Sequence, residues 1–235
     1  TEIRRKLGVS RETIRRDIVA LANSHRLRKT HGGAVSLEQS EPEMTVRQVM
    51  NADGKRAIGR VAASLVPDGA SIILASGTTA QAVADALMAR HNLTIFTNSV
   101  ISCAKLMGHN GNRVYMLGGE VQPINGATLG RDATAMLANY FADFVFIGAG
   151  AISPAGWLMD YTREEGELHS LMLQSARTAV VVADHAKFGR FAQIRVGNFE
   201  RVTHLITDRA PDAEIAAALG ALPLEVLVAD GSEGA

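Results

Sequence analysis

The chain has 235 residues, 47% of them apolar and 20% charged. That leaves room for one or two globular domains and excludes a mainly disordered or collagen-like chain. Its 24 basic and 24 acidic residues cancel, yet residues 1–35 hold nine basic and three acidic ones, so a positive head precedes a negative body, as expected of a polyanion-binding module joined to something else. No apolar run approaches the roughly 18 residues of a membrane-spanning helix. The single cysteine, Cys103, cannot form an internal disulfide and points to a reducing compartment, so a cytoplasmic location is expected. No charged-then-apolar leader opens the chain. It starts at Thr1 without a methionine, and further residues are expected upstream.

In chain order, Ile3 and Leu7 sit at i, i+4 on a short helix that Gly8 ends. Ser10 is a good N-cap for a second helix, in which Ile14, Ile18 and Leu21 form one apolar stripe. Arg11 and Arg15 share a different face, with Thr13 and Arg16 beside them. Such a helix enters the major groove with its cationic front while its apolar back packs on the first helix. Arginine pairs with guanine edges or phosphates, and Ser10 and Thr13 are within the repertoire of phosphate and thymine contacts. Leu27–Val35 predicts a hairpin around Gly32-Gly33, a wing along the DNA backbone. Residues 36–54 are polar around Pro42 and read as a linker. From Lys55 onward, helices and strands alternate. Helices are expected over 57–65, 79–90, 100–107, 131–140, 164–175 and 211–219. Strands are expected over 71–75, 93–97, 113–117, 144–147, 178–183, 204–207 and 225–228. The alternation predicts an α/β fold, a mainly parallel sheet with helices on both faces. The domains are then 1–35, a winged helix-turn-helix, and 55–235, an effector-binding unit.

The segment Leu7-Gly8-Val9-Ser10-Arg11-Glu12-Thr13-Ile14-Arg15-Arg16-Asp17-Ile18, followed by Lys29-Thr30-His31-Gly32-Gly33-Ala34-Val35, resembles the DNA-binding head of DeoR-family bacterial transcription regulators. In that family another helix precedes Thr1, so the head is expected to be N-terminally short here. The resemblance implies binding of double-stranded operator DNA through Ser10, Arg11, Thr13, Arg15, Arg16, Arg28 and His31.

Ligands of open α/β sheets bind beyond the carboxyl ends of the strands. The first strand ends Ser76-Gly77-Thr78-Thr79 and runs into a helix. There the glycine admits a close ligand, and the helix N-terminus favours an anion. The competing reading is a helix cap. Further strands end Thr97-Asn98-Ser99, Gly118-Gly119 and Asp184-His185-Ala186-Lys187-Phe188-Gly189, so polar groups gather on one edge. In this order and spacing they resemble the DeoR-family sensor domain, whose fold is similar to ribose 5-phosphate isomerase. That likeness implies a phosphorylated sugar or polyol as effector. Ser76, Gly77, Thr78 and Thr79 would hold phosphate; Asn98, Ser99, Gly118 and Gly119 would shape the pocket. Glu165, Asp184 and Lys187 would face the sugar or balance charge. Ala75 stands where many relatives carry an acid, and the family's E-A-x-x-K-R helix reads Glu165-Gly166-Glu167-Leu168-His169-Ser170. These departures leave the sugar open.

Other constellations weigh less. Glu165 and His169 lack the further ligands of a metal site, and no metal or cofactor is expected. Asp184 and His185 have no nucleophile elbow. Gly148-Ala149-Gly150 lacks the full dinucleotide fingerprint. Cys103 suits a small core position. Trp157 and Tyr161 either close the pocket or pack in a loop. The expectation is a homo-oligomeric, effector-responsive repressor of a carbohydrate-catabolic operon, and not an enzyme. The alternatives are a sugar-phosphate isomerase using Glu165 or Asp184 as base, and a DNA-binding scaffold whose body only oligomerises.

Overall fold

The structure is a computed structural model. It describes residues 8–23, 27–30, 33–36 and 41–229, with side chains of 22–40 left outside the description. The chain divides into two units, Thr1–Pro42 and Glu43–Ala235.

In the first unit Gly8 has a φ of 66°, the left-handed turn expected before a new helix. Helix α1, Arg11–Asn23, follows. The Ser10 hydroxyl accepts the Thr13 N–H at 3.1 Å and lies 2.8 Å from the Thr13 hydroxyl, satisfying a donor that the first turn would leave open. Arg11, Arg15 and Arg16 are exposed, whereas Ile14, Ile18 and Leu21 are half-buried. Strands β1, Leu27–Thr30, and β2, Gly33–Ser36, pair antiparallel with Thr30 opposite Gly33. The helix expected over Ile3–Leu7, and His31, lie outside the described residues.

The second unit begins earlier than the sequence suggests. Helices α2, Met44–Val49, and α3, Ala52–Ser64, occupy much of the segment expected to be a linker. The polar texture there is real, but Arg47 and Lys55 are buried, and the Lys55 ammonium donates to the Arg47 and Met50 carbonyls. Next come β3, Ser71–Leu74; α4, Thr78–Leu87; β4, Thr94–Thr97; α5, Val100–Leu106; and β5, Arg113–Met116. A short hairpin, β6 Val121–Gln122 and β7 Ala127–Thr128, leads to α6, Arg131–Leu137, and β8, Ala142–Ile147. Then follow β9, Ala151–Ile152; β10, Leu158–Asp160; α7, Arg163–Gln174; β11, Ala176–Val182; β12, Ile194–Arg195; β13, Val202–Thr207; α8, Ala213–Gly220; and β14, Glu225–Val228.

Seven strands form one parallel sheet in the order β14-β13-β11-β8-β3-β4-β5. Alternate residues face opposite ways, which builds two cores. Ile72, Leu74 and Phe146 pack under α3, α4 and α5. Ile73, Val145, Ile147 and Val181 pack under α6, α7 and α8. Each fully buried large aliphatic or aromatic side chain contributes about 1.5–3 kcal/mol by leaving water. Cys103 is half-buried rather than in either core, and burial pushes its thiol up. Among the described residues no helix is long and apolar enough to cross a membrane.

Candidate effector site and DNA-binding face

The sheet order fixes where the chemistry sits. From β3 the chain runs outward through β4 and β5; from β8 it runs the other way through β11, β13 and β14. The direction reverses between β3 and β8, and a crevice opens at such a reversal beyond the carboxyl ends of the strands. Ser76–Thr79 follow β3 on one side, and Gly148–Gly150 follow β8 on the other. The two backbones are close: a Cβ on Gly148 would lie 3.9 Å from the Ser76 carbonyl oxygen.

Gly77 is the residue before α4, with φ 113° and ψ 160°, a conformation that glycine adopts without penalty. No side chain caps α4. By contrast α5 is capped by Ser99, α7 by Thr162 and α8 by Asp212. The capping reading of Ser76-Gly77-Thr78-Thr79 is therefore set aside. Among the described residues no hydrogen bond engages the hydroxyls of Ser76, Thr78 or Thr79; Thr79 is buried, and Ser76 and Thr78 are half-buried beside the uncapped helix start.

The other expected residues divide. Asn98 and Ser99 follow β4 on the same sheet edge, and both are buried. Asn98 donates from Nδ2 to the Thr128 carbonyl at 3.1 Å, while its Oδ1 is buried without a hydrogen-bond partner. Gly118 and Gly119 follow β5, Gly119 with φ 116°. Lys187 reaches from the turn after β11 to the Gly150 carbonyl, Nζ to oxygen 3.4 Å.

Glu165 and Asp184 hold structure. The Glu165 carboxylate accepts from the Thr162 hydroxyl at 2.9 Å, and the Glu165 N–H donates back to that hydroxyl at 3.3 Å, a variant of the capping box. Asn125 also donates to Glu165, at 3.2 Å. Asp184 is buried, accepts the Ala186 N–H at 3.0 Å and stands 3.9 Å from Lys55 Nζ.

Gly148-Ala149-Gly150 reads in the sequence only as a partial dinucleotide motif, yet it forms the far side of the crevice. The signal was its place directly after an apolar strand. His169 is buried, and its Nδ1 lies 2.7 Å from Asp160. Asp160 also accepts the Gly150 N–H at 3.2 Å, so the pair ties α7 to the crevice loop. Trp157 is 41% exposed with the Arg195 guanidinium stacked 4.1 Å from its ring, an exposed cation–π pair. His185 and Asp208 pair at 2.7 Å. Burial pushes the Asp208 carboxyl up, but hydrogen bonds from Asn51 and His185 outweigh it and hold it below the usual range. Among the described residues no group of three or more His, Cys, Asp or Glu could hold a metal ion. A separate open groove of about 490 Å³, lined by Arg163, Glu167, Ser170 and Arg195 among others, contains none of the strand-end residues.

A family model described as the DeoR-like helix-turn-helix domain matches residues 1–40, and one described as the DeoR C terminal sensor domain matches residues 50–209. A DNA-binding head joined to a parallel-sheet sensor defines a transcription regulator that answers to a ligand. The chain belongs to the DeoR family of such regulators. It is 33% identical over 229 residues to the HTH-type transcriptional repressor CsqR of Escherichia coli, covering 97% of this chain and 87% of that one. It is 34% identical over 207 residues to the glycerol-3-phosphate regulon repressor of Haemophilus influenzae, covering 88% and 81%. The isomerase alternative draws no support from these relatives. A ribose 5-phosphate isomerase from Methanocaldococcus jannaschii gives a TM-score of 0.42 at 21% identity, over 59% of this chain and 55% of that one.

Proposed function

We propose that this regulator is a repressor that grips operator DNA through α1 and releases it when a phosphorylated sugar or polyol fills the crevice between β3 and β8. The observation that carries this reading is the uncapped N-terminus of α4 at the point where the sheet order reverses, with the half-buried Ser76 and Thr78 beside it. The first N–H groups of a helix have no partner of their own and attract an anion. Ser76, Thr78 and Thr79 add donors, and Lys187 supplies a cation with three N–H groups. Glu165 and Asp184 act here as framework around the site. The relatives include a glycerol-3-phosphate regulon repressor, so a three-carbon polyol phosphate heads the candidates. The crevice binds without turning its ligand over. A homo-oligomer brings two heads to half-sites about one helical turn apart.

On the DNA side, Arg11, Arg15 and Arg16 face the duplex, with Ser10 and Thr13 setting the start of α1. Arg28 and His31 belong to the proposed contact as wing residues.

Operator release by sn-glycerol 3-phosphate and ribose 5-phosphate, followed by fluorescence anisotropy, tests the reading. Thr78→Ala is expected to leave operator affinity intact and to weaken the response to phosphate ester at least tenfold. A normal response in that variant, or catalytic turnover of either ester, counts against it.

A further inference from the structure

The turn formed by Asp184–Lys187 is held from two directions. On one side Lys187 reaches the Gly150 carbonyl at the crevice. On the other side the turn meets the corner between α2 and α3. Lys55 of α3 is buried and donates from Nζ to the carbonyls of Arg47 and, at 2.8 Å, Met50. These are carbonyls at the end of α2. The same ammonium stands 3.9 Å from Asp184. Asn51, in left-handed conformation at φ 51°, donates to Asp208 at 2.9 Å. Asp208 in turn accepts both the backbone N–H and the ring of His185 at 2.7 Å. Gly54 lies directly under this contact: a Cβ there would fall 2.6 Å from the Asn51 amide and 2.8 Å from the Asp208 carboxylate, so a larger residue would make those side chains shift.

Burying an ammonium is costly, and an apolar side chain of similar length would fill the space without that cost. Burial lowers the Lys55 pKa, and Asp184 opposes the shift. A costly group kept at the end of α2 and facing the turn invites a role beyond packing. Helix α2 is the first element after the division at Pro42/Glu43, so whatever moves it acts on the chain leading to the DNA-binding unit.

We propose that the Asp184–Lys187 turn couples the crevice to α2, with Lys55 and Asn51 as the positioning residues that carry the coupling. Effector held by Lys187 draws the turn toward the crevice. The Asp184–Lys55 and His185–Asp208–Asn51 contacts then rearrange, and α2 changes its hold. The inference rests on the reading of the crevice as the effector site. A ligand acts on DNA binding only through its different free energies in two arrangements, so cutting the tie must shrink that difference while leaving each binding event in place.

The experiment uses the full chain, an operator duplex selected in vitro, and sn-glycerol 3-phosphate and ribose 5-phosphate as probes. The variants are Lys55→Met, close in length, and Asn51→Gly, which keeps the left-handed backbone if the first fails to fold. Calorimetric probe affinity and probe-free operator affinity are expected within threefold of wild type. The ratio of operator affinities without and with probe is expected to fall at least tenfold toward one. Hydrogen exchange over residues 44–50 should respond to probe in wild type and stop responding in the variants. Variants that release DNA as wild type does overturn the coupling alone, as do variants that lose probe binding. A wild type that binds neither probe, or binds one and keeps its operator, removes the crevice reading and the coupling with it.

Discussion

Asp143 shows how one residue helps fix the crevice from its far end. It is the second residue of β8, and Ser71 opens β3, the two strands that flank the reversal. The Asp143 carboxylate accepts the Ser71 hydroxyl at 2.6 Å and the Ser71 N–H at 3.0 Å, while the Asp143 N–H donates back to the hydroxyl at 2.9 Å. The side-chain and then the backbone hydrogen bond from Ser71 hold the carboxyl below its ordinary value of 3.8. A depressed acid stabilises the fold above its unfolded pKa and loses that contribution as pH falls through the folded value. Ser71→Ala is therefore expected to cost about 1–3 kcal/mol at pH 7, since it removes two hydrogen bonds of the hydroxyl, each worth about 0.5–1.5 kcal/mol net. The gap from wild type should narrow as pH falls below about 4, where the carboxyl protonates. Urea unfolding of both proteins across that range measures it. A gap that stays constant down to pH 2 removes the assignment.

At the scale of an element, α1 carries the clearest sequence signal. Its stripe Ile14, Ile18 and Leu21 recurs at helical spacing, and its arginines lie on the exposed remainder. Arg15→Ala or Arg16→Ala is expected to weaken operator binding by about 1–3 kcal/mol if that guanidinium reads a guanine edge. Helical circular dichroism should remain unchanged. Wild-type affinity in both variants would show that this face does not enter the groove. The same kind of local pattern made the seven parallel strands legible, because strands covered on both faces are short apolar runs between turns. Other elements carry no such period. Helix α2 is a six-residue helix rich in polar side chains, and β6, β7, β9 and β12 are two residues long. The β6–β7 and β9–β10 pairings are local but too short to show a period, whereas β12 pairs with β10 and the corner between α2 and α3 rests on contacts far along the chain. Asn51 meets Asp208 across 157 positions, and Lys187 meets Gly150 across 37. The strand-end glycines and hydroxyls of the site were visible as composition. The Thr162-Arg163-Glu164-Glu165 spacing is a local capping signal, and the Asp184 turn is equally local. What no window of sequence contains is the strand order that brings Gly148–Gly150 to the other side of the crevice.

Across the whole molecule, the uneven charge sets how DNA binding must respond to salt. Nine basic residues against three acidic ones lie within residues 1–35, and the remainder carries an acidic surplus of six. The body is thus repelled by a duplex, and attraction comes from the head alone. Each phosphate neutralised releases counterions and adds about 0.9 to the slope of log affinity against log salt. With Arg11, Arg15, Arg16 and Arg28 in contact, one head gives a slope of about −4 and a pair of heads about −7. Titrating the full chain onto operator duplex between 50 and 200 mM salt, a range over which such slopes are read, therefore counts heads as well as charges. A slope near −7 supports a symmetric pair on two half-sites, and Arg16→Ala should then lower it by about 2, one contact from each protomer. A slope near −4 with a full-length operator assigns the grip to a single head. Affinity that ignores salt would mean that the basic residues of the head face away from the phosphates, and the electrostatic basis of the DNA-binding unit would be lost.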